Sequence, residues 1–200
     1  MTFRILTVCT GNICRSPLAE QLLRRGLSGV EGVSVGSAGT MAMVGDGMPP
    51  LAAALSSRFG VTDAAAHRAR QLDEQLVRDA DLVLALSREH RRAVVQSVPA
   101  ATRTAFTLRE FAHLAASVGD HDLASAAAVS PDDSVRSRLR GAVAAVASLR
   151  GVVEPLESVD DFDVIDPYGR AAAVYDESAA QLVPAVDATV ALLVRVAGRG

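Results

Sequence analysis

A short loop near the start of this chain carries a cysteine at one end and an arginine toward the other. From Cys9 to Ser16 it reads Cys-Thr-Gly-Asn-Ile-Cys-Arg-Ser. The apolar, β-branched run at 3–8 predicts a buried strand before the loop, and apolar residues at helical spacing in 18–25 predict a helix after it. A helix N-terminus presents unpaired amide groups and the positive end of the helix dipole. The sequence therefore predicts an oxyanion site at this loop.

Each residue type in the loop suits phosphate chemistry. A helix N-terminus and a neighbouring arginine favour the thiolate form of a cysteine, so Cys9 is a candidate nucleophile. Arg15 offers a planar fork of donors that can hold two phosphoryl oxygens. Gly11 and Asn12 readily adopt left-handed backbone conformations, which turn successive amides inward. Ser16 can cap the helix and donate a hydrogen bond to the thiolate.

This pattern, Cys-x5-Arg-Ser-Pro with Gly and Asn inside it, closely resembles the signature of the low molecular weight protein tyrosine phosphatases. Far along the chain, Asp166-Pro167-Tyr168 resembles the second signature of that family. There the aspartate protonates the leaving group and then serves as the base for water. The resemblance implies that Cys9, Arg15 and Asp166 are catalytic. It also implies a substrate-binding set, which comprises Thr10, Gly11, Asn12, Ile13, Cys14, Ser16 and Tyr168.

Two further residues resemble supporting positions of the family. Ser37 belongs to a Ser-Ala-Gly-Thr run whose serine braces the loop through its asparagine, and His67 lies in a stretch similar to one that precedes a family helix. From the residues alone, Ser37 could instead be a turn residue at the end of a strand, and His67 could be a surface histidine.

The chemistry that the resemblance implies passes through a cysteinyl-phosphate intermediate and needs no metal or other cofactor. The implied partners are phosphotyrosine-containing protein substrates, with a tyrosine kinase or its substrates among them.

Cys14 is open to two interpretations. It can form a reversible disulfide with Cys9 that protects the nucleophile from further oxidation, or it can be a small buried residue that packs under the loop. The chain contains only these two cysteines. That number argues against a disulfide scaffold and against a zinc site, which needs three or four ligands at suitable spacing.

Composition and charge predict a globular cytoplasmic protein. Hydrophobic residues make up 50% of the 200 residues and charged residues 22%, as in chains that bury a core. The net charge of -3 gives no basic surface for nucleic acid. We expect no apolar stretch long enough to span a bilayer, and therefore no membrane insertion. The chain also enters its first strand without a signal-like apolar core.

The alternation of predicted strands and helices indicates an α/β fold. We expect a four-stranded parallel sheet with helices on both faces, Rossmann-like and of the low molecular weight phosphatase type, with the site at the carboxyl ends of its strands. Further strands are predicted at 33–38, 81–86 and within 103–108, and further helices at 48–59, 133–149 and 174–196. Residues 1–200 should form a single phosphatase domain with a helical insertion at about 112–158, where the resemblance lapses.

Three other functions fit parts of this pattern. Thioredoxin-coupled arsenate reductases need a third cysteine, so only a reductase that uses a low-molecular-weight thiol fits this chain. Protein-arginine phosphatases of this family carry threonine at the position of Ile13, whereas a branched alkyl side chain suits a phenol ring. A non-catalytic phosphate-binding module needs neither a thiolate nor an acid. The sequence therefore predicts a protein tyrosine phosphatase that hydrolyses phosphotyrosine.

Overall fold

A computed structural model describes residues 2–128 and 132–198 of the chain. Four parallel strands form one sheet in the order β2-β1-β3-β4. They are β1 (Phe3–Cys9), β2 (Val33–Gly39), β3 (Leu82–Ala85) and β4 (Ala105–Thr107). Each lies where the sequence predicts a strand, and the predicted four-stranded parallel sheet is confirmed. Cys9 is in register with Gly39, so the loop after β1 begins at the carboxyl edge of the sheet.

Helices connect these strands and cover both faces of the sheet, as predicted. They are α1 (Arg15–Gly26), α2 (Pro50–Arg58), α3 (Glu74–Asp79), α4 (Arg88–Ser97), α5 (Leu108–Ala116), α6 (Asp120–Ala128), α7 (Val135–Ser148) and α8 (Ala172–Ala197). Short 3-10 turns occur at Ala64–Ala66, Pro99–Arg103 and Val159–Phe162.

Alternate residues of each strand face two separate apolar clusters. In β1, Phe3 and Ile5 point to a large cluster with α1, α5, α7 and α8, whereas Leu6 and Val8 point to a smaller one with α3 and α4. Both faces of a parallel sheet are buried in this way because the crossover helices lie on both sides. The sheet therefore holds the carboxyl edge rigidly, and the loops that leave it are positioned by a packed core.

The last helix is longer and more apolar than the sequence analysis expected. Within the described residues, α8 alone has the length and hydropathy of a membrane-spanning helix, so the expectation that no stretch is long enough was wrong. One face of α8, which includes Leu182, Val186 and Leu193, is buried in the large apolar cluster. Core helices pass the same length and hydropathy test, and the packing of this face accounts for the apolar composition of α8.

The segment at 112–158 contributes α6 and α7, and its first residues continue α5. Residues 129–131 of this segment lie outside the described part of the chain. At the start of β3, the buried Asp81 carboxylate pairs with Arg136 and Arg140 of α7 at 3.0 and 3.4 Å and accepts the backbone N–H of Arg4 at 2.9 Å. This ion cluster fastens α7 at the amino end of the sheet, opposite the edge that carries the loop.

Candidate active site

The loop between β1 and α1 brings the Cys9 sulfur to a hydroxyl group. Cys9 is buried at the end of β1, and its Sγ lies 3.0 Å from Ser16 Oγ. The Asn12 side-chain amide donates to the same hydroxyl at 2.9 Å, which leaves the Ser16 proton free to point at sulfur. The expectation that Ser16 caps the helix was wrong. Cys14 occupies the cap position without a side-chain bond, and the Ser16 hydroxyl is committed to Cys9 and Asn12.

Asn12 has a left-handed backbone that several neighbours hold in place. Its φ is 55°, a conformation that costs a non-glycine residue energy unless its surroundings fix it. Its side-chain amide donates to Ser37 Oγ at 2.8 Å, and its Oδ1 accepts the Arg70 backbone N–H at 2.9 Å. Its carbonyl accepts from His67 Nε2 at 2.6 Å. Gly11 does not share this conformation, so the prediction of two left-handed residues is correct for Asn12 only.

The end of β2 lies against the loop so closely that only glycine fits there. A Cβ on Gly39 would lie 2.4 Å from the Thr10 carbonyl oxygen and 3.0 Å from the Asn12 nitrogen. Beyond Gly39 the chain runs beside the loop, where Met41 and Met43 donate their backbone N–H groups to loop carbonyls at 3.0 Å. This close approach carries two methionine side chains to the mouth of the site.

Arg15 joins the loop to a segment near the other end of the chain. We call residues 163–168 the acid loop. The Arg15 guanidinium is buried and donates to Asp166 Oδ2 at 2.6 Å and to the Val164 carbonyl at 3.1 Å. The Asp166 side chain is 50% exposed, and its other oxygen accepts the Tyr168 backbone N–H at 3.1 Å. A carboxyl group that solvent and ligand can reach therefore stands beside the arginine of the loop.

A cleft of about 220 Å³ opens above Cys9. Its described lining consists of Cys9, Thr10, Gly11, Ile13, Cys14, Arg15, Met41, Met43, Asp166 and Tyr168. All of these residues lie outside the segment 112–158. The sequence predicts this set except for Met41 and Met43, whose only signal is two methionines following a strand that ends at the site. Two predicted substrate-binding residues, Asn12 and Ser16, are fully buried and do not belong to the described lining. The lining thus combines the buried Cys9 and Arg15 with apolar side chains, of which Met41, Met43 and Tyr168 are exposed.

His90 is a buried residue of the site that the sequence analysis missed. Its Nε2 lies 2.8 Å from Thr10 Oγ1, and its Nδ1 lies 2.8 Å from Ser87 Oγ. Burial is the main cause that lowers the pKa of His90 from 6.5 to about 4, and the positive charge of Arg15 is the second. The carboxylates of Asp166 and Asp163 act in the opposite direction. The imidazole is therefore neutral at neutral pH and bridges α4 to the loop as a hydrogen-bonding group.

Cys14 lies in the loop and is almost fully buried, although it contributes to the lining of the cleft. Its thiol is buried, and its Sγ lies 3.9 Å from the Tyr175 hydroxyl of α8. Burial is the main cause that raises the pKa of Cys14 to about 12, and burial likewise raises the pKa of Tyr175 to about 12. Both cysteines are free thiols in this structure. This environment matches the packing interpretation of Cys14, while a disulfide with Cys9 stays a prediction.

Comparison with known proteins identifies the family. The sequence model described as "Low molecular weight phosphotyrosine protein phosphatase" matches residues 4–133. The chain belongs to the low molecular weight protein tyrosine phosphatase family. The family resemblance predicted from the sequence is thereby confirmed, and the protein is a cysteine-dependent phosphatase of this family. The match includes the whole loop from Cys9 to Ser16, and it ends before the acid loop.

Individual relatives of this phosphatase carry two different substrate names. "Probable low molecular weight protein-tyrosine-phosphatase EpsP" of Ralstonia solanacearum is 43% identical over 106 residues, which are 53% of this chain and 70% of that protein. A "Protein-arginine-phosphatase" of Geobacillus stearothermophilus is 40% identical over 111 residues, 56% of this chain and 72% of that protein. Sequence similarity alone therefore does not decide between the two phosphorylated residues.

Solved structures of the family extend the likeness to the whole fold. The low molecular weight protein tyrosine phosphatase from T. tengcongensis superposes with a TM-score of 0.66 at 28% identity, covering 95% of this chain and 99% of its own. The YwlE arginine phosphatase from Geobacillus stearothermophilus gives a TM-score of 0.65 at 28% identity, covering 96% and 94%. The phosphatase fold is common to both, so the substrate must be argued from the cleft itself.

Proposed function

We propose that this phosphatase hydrolyses phosphotyrosine in protein substrates, with Cys9 as the nucleophile, Arg15 as the oxyanion ligand and Asp166 as the general acid and base. One observation carries the proposal: a single cleft contains all three groups between apolar walls. A phosphoryl group needs the polar groups of such a cleft, and a phenol ring needs its apolar side chains.

In the first step the Cys9 thiolate attacks phosphorus. A bond forms between sulfur and phosphorus while the bond from phosphorus to the aryl oxygen breaks. The protonated Asp166 carboxyl gives its proton to that oxygen, so the product leaves as a neutral phenol. The Arg15 guanidinium has five N–H donors, of which the bonds to Val164 and Asp166 use two. Its positive charge stabilises the phosphoryl oxygens in the transition state.

In the second step water hydrolyses the cysteinyl phosphate. The Asp166 carboxylate accepts a proton from the attacking water, whose oxygen bonds to phosphorus as the bond from phosphorus to sulfur breaks. The sulfur leaves as a thiolate. The Ser16 hydroxyl, 3.0 Å from Cys9 Sγ, donates a hydrogen bond to that thiolate and so stabilises the leaving group. The step regenerates the thiolate and the protonated acid.

The walls of the cleft favour a phenol ring over a phosphorylated guanidinium. Ile13, Met41, Met43 and Tyr168 offer alkyl, thioether and aromatic surface. Thioethers and aromatic rings pack well against another ring. A phosphoarginine side chain would bring further polar N–H groups against these four side chains, whose apolar surfaces offer no acceptor in exchange for water. Phosphotyrosine is therefore the better substrate for this cleft.

The preference for phosphotyrosine is tested by comparing two phosphopeptides as substrates of the wild type and of variants at Ile13. The wild type should hydrolyse a phosphotyrosine peptide with a higher kcat/KM than the matched phosphoarginine peptide. Ile13→Thr places a hydroxyl in the wall and should lower kcat/KM for phosphotyrosine by about tenfold, since one misplaced group in an apolar pocket costs about 1–3 kcal/mol. Ile13→Val keeps the wall apolar and is the matched control. A wild type that prefers phosphoarginine would refute the substrate assignment.

The chemistry of the nucleophile also suits a cytoplasmic location. A thiolate nucleophile must stay reduced, and a reducing compartment such as the cytoplasm maintains free thiols. The described chain forms one phosphatase domain in this proposal, because α6 and α7 contribute Leu123, Leu139 and Val143 to the same apolar cluster as α1 and α8. Its partners are phosphotyrosine-containing proteins, including a tyrosine kinase or the substrates of one.

A further inference from the structure

The first turn of α4 is joined to the acid loop by charged hydrogen bonds. Asp163, the first residue of the acid loop, accepts the Arg88 backbone N–H at 2.7 Å. The Arg88 guanidinium donates to both oxygens of the same carboxylate, from Nε at 3.3 and 3.2 Å and from Nη2 at 2.9 Å. Its Nη2 also reaches Asp160 at 3.1 Å. A guanidinium fork that holds both oxygens of a carboxylate fixes its orientation as well as its distance.

The residues between Asp163 and Asp166 have separate anchors. The Asp163 carbonyl accepts from Arg109 at 2.9 Å, and the Val164 N–H donates to the Leu86 carbonyl at 2.9 Å. The Ile165 N–H donates to the Gln181 side chain at 2.8 Å. The backbone that runs from Asp163 toward the acid is thus bonded at every residue.

The same turn of α4 also touches the loop that carries the nucleophile. His90, two residues after Arg88, bonds to Thr10, which directly follows Cys9. One helical turn therefore contacts both halves of the site, with Arg88 on the acid loop and His90 on the nucleophile loop. A general acid must lie within hydrogen-bond reach of the leaving oxygen, and small displacements of a reacting group lower the rate steeply.

We infer that Arg88 is a positioning residue for the general acid: by holding Asp163 it keeps the Asp166 carboxyl on the leaving-group side of the cleft. The inference rests on the proposed roles of Cys9 and Asp166. It assigns Arg88 no contact with substrate. A positioning defect should therefore slow the two proton transfers that use Asp166. In kcat/KM, which reports the first of them, the loss should depend on the leaving group, whereas general damage to the fold would slow every substrate alike.

Two aryl phosphates separate these possibilities. Phenyl phosphate has a poor leaving group that needs the acid, and p-nitrophenyl phosphate has an activated one that needs it much less. Arg88→Ala should lower kcat/KM for phenyl phosphate by about tenfold and change kcat/KM for p-nitrophenyl phosphate little, because complete loss of an acid costs about 10²–10⁴ and misplacement costs part of that. In the Asp166→Asn background, Arg88→Ala should cause no further loss, since both changes remove the same proton transfer.

Matched variants guard against structural effects. Arg92→Ala changes an exposed arginine of the same helix and should leave the ratio of the two rates at the wild-type value. Arg88→Lys keeps the charge without the fork and should show the same selectivity with a smaller loss, which gives a second reading if the alanine variant fails to fold. Equal loss on both esters, or losses that add to those of Asp166→Asn, would overturn the inference.

The Asp166→Asn variant distinguishes failure of the inference about Arg88 from failure of the proposed function. If Asp166→Asn alone slows phenyl phosphate far more than p-nitrophenyl phosphate, the acid is assigned correctly and the Arg88 result judges the inference by itself. If Asp166→Asn slows both esters equally, the proposed acid is wrong, and the inference about Arg88 is overturned together with it.

Discussion

At the scale of single residues, the loop is held by buried side chains whose hydrogen-bond partners are defined. Asn12 illustrates this, since its side chain links Ser16 on one side with Ser37 and the Arg70 backbone on the other. The strained φ of 55° is thereby held by bonds to neighbouring residues. Ser16 could be predicted to contact sulfur, but its second contact with Asn12 could not. Ser16 does not cap α1 because the helix begins one residue earlier, at Arg15, and Cys14 occupies the cap position.

The buried histidine gives a residue-scale prediction about pH. The pKa of His90 is lowered from 6.5 to about 4, so between these values the unfolded chain binds a proton that the folded protein does not. The free energy of unfolding should therefore fall as pH falls through this window, by at most about 1.4 kcal/mol per pH unit for one proton. His90→Asn should remove this contribution. The measurement is the free energy of urea unfolding at several pH values from about 7 to about 4.5, which cover most of this window.

The control for this experiment is His121→Asn, which removes an exposed histidine of α6. It should keep the wild-type slope of stability against pH. A His90→Asn protein whose slope equals that of the wild type would show that His90 is not the group that titrates.

At the scale of elements, the two ends of the strands have different roles. The carboxyl ends of β1 and β2 carry the loop and the glycine that lies against it, whereas the amino end of β3 carries the ion cluster that fastens α7. The sequence predicted the strands and α7 because their apolar periodicity is local. It did not predict Asp81 as the anchor of α7, because that contact depends on how a distant helix packs against the sheet.

This division predicts that the anchor affects stability and not catalysis. Asp81→Asn removes the charge that pairs with Arg136 and Arg140, so the free energy of unfolding should fall by about 2 kcal/mol. Asp79→Asn, which breaks an exposed pair with Arg4, should cost less than about 1 kcal/mol. The kcat/KM of both variants should stay near the wild-type value. Equal destabilisation by the two changes would contradict the assignment of Asp81 as an anchor.

At the scale of the whole molecule, the site joins segments that lie far apart in the chain. The two family signatures allowed Cys9, Arg15 and Asp166 to be predicted together, because each motif carries its own chemistry. Met41, Met43, Arg88 and His90 lacked such a signal, since their place in the site depends on where strands end and how α4 begins. The helix at 174–196 was predicted to within two residues at each end, but the expectation that no stretch could span a bilayer was wrong, because apolar composition serves a buried helix and a membrane helix equally well.

The central claim is that turnover passes through a phosphoryl group on the Cys9 sulfur. The most direct test mixes the wild type with saturating p-nitrophenyl phosphate, quenches the reaction during turnover and locates phosphoryl groups on the digested protein by mass spectrometry. We expect one phosphoryl group, on the peptide that contains Cys9, and none there in Cys9→Ala, which has no nucleophilic atom at this position. A phosphoryl group on another side chain, or turnover with no phosphorylated protein at any time after mixing, would contradict the account.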